Sequence, residues 1–226
     1  MVDAAHIIGL IAGSAHPNPV PHADIVTATT HKALRGPRGG LILSRAEYAD
    51  SIDKAVFPLT QGGPINSQIA AKALCLEMAS RADFKSYANQ IVRNAKVLAG
   101  AMDDEGLRVV GGGTENHMLL VDLRSIDSEL TGKEAARFLD EHGVTLNRNA
   151  IPFDPRPPFV TSGLRMGTPS VTSAGMMQEQ MVLLGKLIVE LLRKRIDPYS
   201  VNLYTGQVRE LAEAFPAYPP GFPGYA

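Results

Sequence analysis

The stretch TTHKALRGPRGG, residues 29–40, sets a lysine between a histidine and a turn built of glycine, proline and arginine. An ε-amine becomes a Schiff-base nucleophile when burial or neighbouring cations lower its pKa, and Arg35 and Arg38 stand in the same turn as Lys32. The plain alternative is a solvated lysine beside an Arg/Gly turn that only reverses the chain. Taken alone, the stretch favours the plain reading.

Upstream, Asp3 and His6 in VDAAH would set a carboxylate and an imidazole on one side of a crevice, as a pyridinium nitrogen and its ring require. On the three-residue spacing alone, a capping aspartate with a core histidine is the favoured reading. The apolar run 7–13 between them and the lysine reads as a buried strand end and turn. It is too short for a bilayer and lacks a basic leader. Residues 23–30 read as a short strand leading into Lys32, and 41–44 as a strand beyond the turn.

Further on, Gln61-Gly62-Gly63-Pro64 precedes a helix over about 66–80. Backbone N–H groups at such a start can bind phosphate, although a lone Gly-Gly-Pro is weak evidence. A longer helix follows with Phe84, Tyr87, Ile91, Ala95, Leu98 and Met102 on one face. From there the pattern changes. Strands at 107–110 and 117–123 flank a glycine turn, and Thr131-Gly132-Lys133-Glu134 has the capping-box form and opens a helix to about His142. A strand at 144–147, a proline-rich loop at 151–159, a strand at 163–167 and a last helix with Met177, Met181, Leu184, Ile188 and Leu191 complete a small α+β domain. Arg165 stands on an apolar strand in TSGLRMGTP, residues 161–169. A buried arginine needs an anion, either a ligand carboxylate or a structural salt-bridge partner.

Composition narrows the function. With 22 Lys+Arg against 23 Asp+Glu and a net charge of -1, nothing advertises nucleic acid or a membrane surface, which leaves small-molecule partners. The single cysteine, Cys75, excludes an internal disulfide framework and fits a reducing compartment, the cytoplasm being the expected one. His6, His16, His22 and His31 lack the spacing of paired metal ligands, so no metal is expected.

Together, VDAAH, THKALRGPRGG, QGGP and the segment from Asn147 to TSGLRMGTP resemble the serine hydroxymethyltransferase family. The resemblance runs over nearly the whole chain. It implies an α/β fold: the C-terminal part of an aspartate-aminotransferase-like large domain (pyridoxal-phosphate fold type I) at 1–80, a connecting helix at 81–105 and a complete small α+β domain at 106–213. A proline- and aromatic-rich tail at 214–226 reads as a surface-lying or disordered end.

The resemblance also implies roles. Lys32 would hold pyridoxal 5'-phosphate covalently, Asp3 would keep the pyridine nitrogen protonated, and His6 would lie beside the ring. His31 and Arg38 would lie near the cofactor, and Gly62 and Gly63 would reach the phosphate of a partner subunit's cofactor. Arg165 would clamp the amino-acid carboxylate. Asn149 and Pro157-Pro158-Phe159 would face the folate. The implied reaction exchanges serine and tetrahydrofolate for glycine and methylenetetrahydrofolate. Leu59-Thr60 and Pro157 depart from the family pattern, which usually has a glycine before Gln-Gly-Gly-Pro and a serine at the second place.

Measured against that family, the chain starts about halfway along, so a truncated chain with little activity of its own is expected. It would be an enzyme part completed by its missing N-terminal half in trans, or a non-catalytic remnant that associates with a full-length paralogue through the family's dimer surface. Another fold type I pyridoxal-phosphate enzyme is a weaker alternative, disfavoured by the Thr-His-Lys context and the folate-like loop.

Overall fold

The computed structural model describes residues 1–218 and 221, and most of the tail expected at 214–226 lies outside them. The chain divides into two compact units, Met1–Asn89 and Gln90–Ala226.

In the first unit, Val2–Asp3 (β1) is followed by a short helix, Ile8–Ala12 (α1), and by Ile25–Thr29 (β2). The expected strand end at 7–13 is therefore a helical turn. Ile7, Ile8, Leu10 and Ile11 satisfy a one-sided helical stripe as well as a strand, and a run this short cannot separate the two by periodicity. β2 has the alternation of a half-buried strand, with Val26 and Ala28 inward. It is the middle strand of three: β1 pairs with it in parallel, Asp3 opposite Thr27, and Gly40–Ser44 (β3) in antiparallel, Thr29 opposite Gly40. Ala49–Lys54 (α2) and Asn66–Ala79 (α3) follow. On α3 only Cys75 is buried, although Ile69, Leu74, Leu76 and Met78 are all apolar.

Ala82–Asp104 (α4) crosses the boundary between the units. Its apolar stripe is inward along its length, with Phe84, Ile91, Ala95, Leu98 and Met102 all buried. The second unit then has Met118–Asp122 (β4), Gly132–Glu141 (α5), Asn147–Asn149 (β5), Gly163–Gly167 (β6), Pro169–Ser173 (α6), Gln178–Arg193 (α7) and Pro198–Ala214 (α8). β6 lies between β4 and β5 and is antiparallel to both. The expected strand at 107–110 is reduced to one bridge, Val109 to Val121, and the strand expected at 144–147 starts only at Asn147. The capping box on α5 is present: Thr131 Oγ1 accepts the Glu134 N–H at 3.1 Å, and the Glu134 carboxylate accepts the Thr131 N–H at 3.1 Å. α8 was not expected from the sequence. Its start is capped by Asp197, with Pro198 in the first turn.

The second unit packs one continuous core of Leu107, Leu123, Leu139, Leu164, Met181, Ile188, Leu191 and their neighbours. A buried polar network sits beside it. Asn94 donates to Thr172 Oγ1 and the Met176 carbonyl, both at 2.9 Å, and accepts from Gln90 at 2.7 Å. Every arm of this fully buried amide is satisfied, as burial demands.

Candidate active site

Parallel strands present their C-terminal ends on one side of a sheet, and in open α/β sheets ligands bind there. β1 ends at Asp3 and β2 at Thr29, three residues before Lys32. The expected acid and amine thus leave neighbouring strands in the same direction. Thr29 Oγ1 donates to the Ala5 carbonyl at 2.9 Å, and the Ala4 N–H donates to the Thr27 carbonyl at 2.8 Å, locking the two ends together. Asp3 is exposed, and its Oδ1 accepts the Ala5 N–H at 2.9 Å. His6 opens the turn that becomes α1. That helix rests on the lysine turn through Gly9, where a Cβ would collide with the backbone of Ala33 and Leu34.

The turn itself is held by Thr30, which is buried. Its N–H donates to the Gly39 carbonyl at 3.0 Å, its carbonyl accepts the Gly36 N–H at 2.7 Å, and its Oγ1 donates to the Pro37 carbonyl at 2.5 Å. Arg35 adopts a left-handed φ of 61°, and its guanidinium stacks 4.0 Å from the centre of the Tyr87 ring. Lys32 is half-buried at the centre of this arrangement. His31 lies between Arg38 and Gly39: its Nδ1 accepts the Gly39 N–H at 3.4 Å, and its Nε2 is 3.4 Å from the Arg38 guanidinium.

Arg38, Gly62 and Gly63 share a different place in this unit, a cleft of about 1070 Å³ also lined by Gln61, Gln68 and Lys72. Nothing lies within 4 Å of a Cβ built on either glycine, so backbone there is open to a ligand. Lys72 donates to the Gly40 carbonyl at 2.9 Å. Burial pushes the Cys75 thiol up, with Arg35 partly opposing it, so Cys75 is a neutral packing group rather than a thiolate nucleophile.

In the second unit, Arg165 and Asn149 lie on paired strands, with Arg165 opposite Asn147 and Asn149 opposite Gly163. Arg165 is half-buried, and among the described residues no carboxylate pairs with it. The structural salt bridge that would have explained it is thus not seen, and its bidentate fork is available for an anion. Contrast Asp122, nearly fully buried on the adjacent strand. It is held by Arg124 at 2.9 Å and Arg108 at 3.0 Å, and the hydrogen bond from Arg124 keeps its carboxyl below the usual carboxylate range. Pro157, Pro158 and Phe159 form the exposed apex of the loop between β5 and β6. Thr30 and Asp154 are structural contributors that were not singled out from the sequence. An Asp two residues before an N–H it accepts is an Asx-turn signal, and Asp154-Pro155-Arg156 carries it.

A family model described as serine hydroxymethyltransferase matches residues 1–188. A protein of Koribacter versatilis (strain Ellin345) named serine hydroxymethyltransferase is 52% identical over 219 residues, 97% of this chain and 51% of that protein. Proteins of the same name from Myxococcus xanthus (strain DK1622) and Coprothermobacter proteolyticus are each 52% identical over 218 residues, 96% of this chain and 52% of their own length. The chain spans about half the length of the curated relatives it matches.

Proposed function

This chain belongs to the serine hydroxymethyltransferase family, and from that premise we propose that it takes part in the reversible transfer of the serine hydroxymethyl carbon to tetrahydrofolate, using pyridoxal 5'-phosphate. The observation that carries the proposal is the departure of Asp3 and the Lys32 turn from the same end of two paired parallel strands.

When bound, the cofactor supplies an electron sink for the pair left on the substrate's α-carbon. The chain's own residues prepare for it. Lys32 offers an amine on a turn immobilised by Thr30 and by α1, so the amine meets an aldehyde with little orientational freedom to lose. Asp3 would partner the pyridine nitrogen and keep a proton there, which the sink requires. His6 would lie beside the ring, with His31 and Arg38 near the cofactor. Gly62 and Gly63 offer unobstructed backbone to a phosphate, the partner subunit's in a dimer. Arg165 binds the amino-acid carboxylate, and Asn149 with Pro157, Pro158 and Phe159 faces the folate. The partition of the chain at 1–80, 81–105, 106–213 and 214–226 belongs to the same reading, as does a reducing, cytoplasmic setting.

A second reading, a non-catalytic chain that associates with a full-length relative, is favoured by the apolar residues exposed on α3. No helix among the described residues is long and apolar enough to cross a membrane.

Titrating the purified chain with pyridoxal phosphate decides between the readings. A visible absorbance band that Lys32→Ala abolishes is the expected result. A folded chain giving no Lys32-dependent band would overturn the catalytic reading and leave the associating one.

A further inference from the structure

The connection between β5 and β6 is bent against local preference at two points. Phe153 and Thr161 both sit at left-handed φ, 56° and 59°. For a β-branched residue such as threonine that region is an outlier, and such conformations persist only where the surroundings over-determine them.

Asp154 supplies that constraint. Its Oδ2 accepts the N–H of Ile151 at 3.1 Å and of Ser162 at 2.8 Å, and its Oδ1 accepts the N–H of Arg156 at 3.0 Å and the Ser162 hydroxyl at 2.7 Å. One carboxylate thereby joins the beginning, the middle and the end of the connection. Arg156 extends the clamp by donating to the carbonyls of Leu130 at 2.7 Å and Ser128 at 2.6 Å. The N–H groups of Gly132 and Lys133, where α5 starts, donate to the carbonyls of Thr161 and Val160 at 2.9 and 3.0 Å. Between Arg156 and Ser162 the Pro157-Pro158-Phe159 apex is left exposed, and between Ile151 and Arg156 so are Pro152, Phe153 and Pro155.

We propose that Asp154 is a positioning residue: it fixes the 151–162 connection in its strained form and so sets the affinity of the Pro157-Pro158-Phe159 apex for a reduced folate. The inference rests on the folate-facing reading of that apex. Burial alone would raise the Asp154 carboxyl, but the bonds from Ser162, Arg156 and Ile151 outweigh it and hold it at about 2, so the clamp is ionised at neutral pH. An asparagine fits the space but not the chemistry. Its NH₂ must face two donors whichever way it turns, and only the Ser162 hydroxyl can rotate to accept.

Arg165 does not depend on this clamp, because β6 is registered between β4 and β5. The proposal therefore predicts a split. In Asp154→Asn, the dissociation constant for 5-formyltetrahydrofolate should rise about tenfold, and that for serine should stay within about twofold. Hydrogen exchange at the Ile151, Arg156 and Ser162 amides should quicken about tenfold, while amides of β4 hold steady. Asp154→Glu, which keeps the charge, should recover part of both effects.

Unchanged loop exchange in Asp154→Asn would overturn the clamp. Loop and β4 amides quickening together, with serine and folate affinity falling in parallel, would make Asp154 a general stabiliser and overturn the positioning role. If the unmodified chain binds neither ligand, the folate part falls together with the reading beneath it, and the exchange data alone decide the clamp.

Discussion

The two units of this chain bury their apolar residues very differently. Among its described residues, Gln90–Ala226 gathers twenty-one buried ones into one core, with Leu139, Leu164, Met181, Leu191 and Leu192 fully enclosed. Met1–Asn89 gathers seven, three of them alanine or cysteine, while Leu74, at 60% exposure, and Leu76, at 52%, face outward from α3. A helix apolar all round is ordinarily a buried one, so α3 has the composition of an interior element and the surroundings of a surface one. Yet the unit with the thin core carries the lysine turn. Its rigidity there comes from hydrogen bonds to Thr30 and from the close seat of α1, not from the mass of apolar packing. Local order at a site and global burial are separable properties.

Three experiments would break or sharpen that contrast. The largest effect is expected from Ile188→Ala in the well-packed unit, which should cost about 2–5 kcal/mol in denaturant unfolding, since a buried side chain is removed from a core that relaxes only partly. A cost below about 1 kcal/mol would mean that this core is loose too.

Acid should act next, and on the second unit. The Asp154 carboxyl is depressed to about 2 from 3.8, so its contribution is complete above about pH 4 and is lost as pH falls towards about 2, with Asp122 acting in the same direction. After screening at this partly exposed group the loss is at most about 2 kcal/mol. Thermal melting across that range checks it, and Asp154→Asn should flatten the slope.

The smallest effect is expected from Leu76→Gln on α3. Stability should move by no more than about 0.5 kcal/mol, and light scattering should report less self-association. A loss of several times that size would show that Leu76 is packed, and the contrast between the units would fail.

What could be read from the sequence followed signal length. The stripe from Phe84 to Met102 repeats over five turns, and the capping box at Thr131 is a four-residue code, so both emerge from local chemistry. The run at 7–13 is too brief to tell helix from strand. α8 escaped notice because Gly206 interrupts it and Tyr199, Asn202 and Leu203 blur its apolar face. Lys32, Asp3 and Arg165 stand in distinctive local contexts, whereas Asp154 shows only an Asx-turn signal until the chain brings Ser162 back to it. Contacts closed by tertiary structure leave only a faint mark on sequence.

The seat of α1 also constrains descent. At Gly9 the obstacle to any side chain is the main chain of Ala33 and Leu34, and no exchange of side chains elsewhere removes a main chain. Drift in a lineage keeping this turn therefore has no compensating partner for a change at position 9. A side chain at position 9 is therefore tolerated only if the lysine turn itself moves.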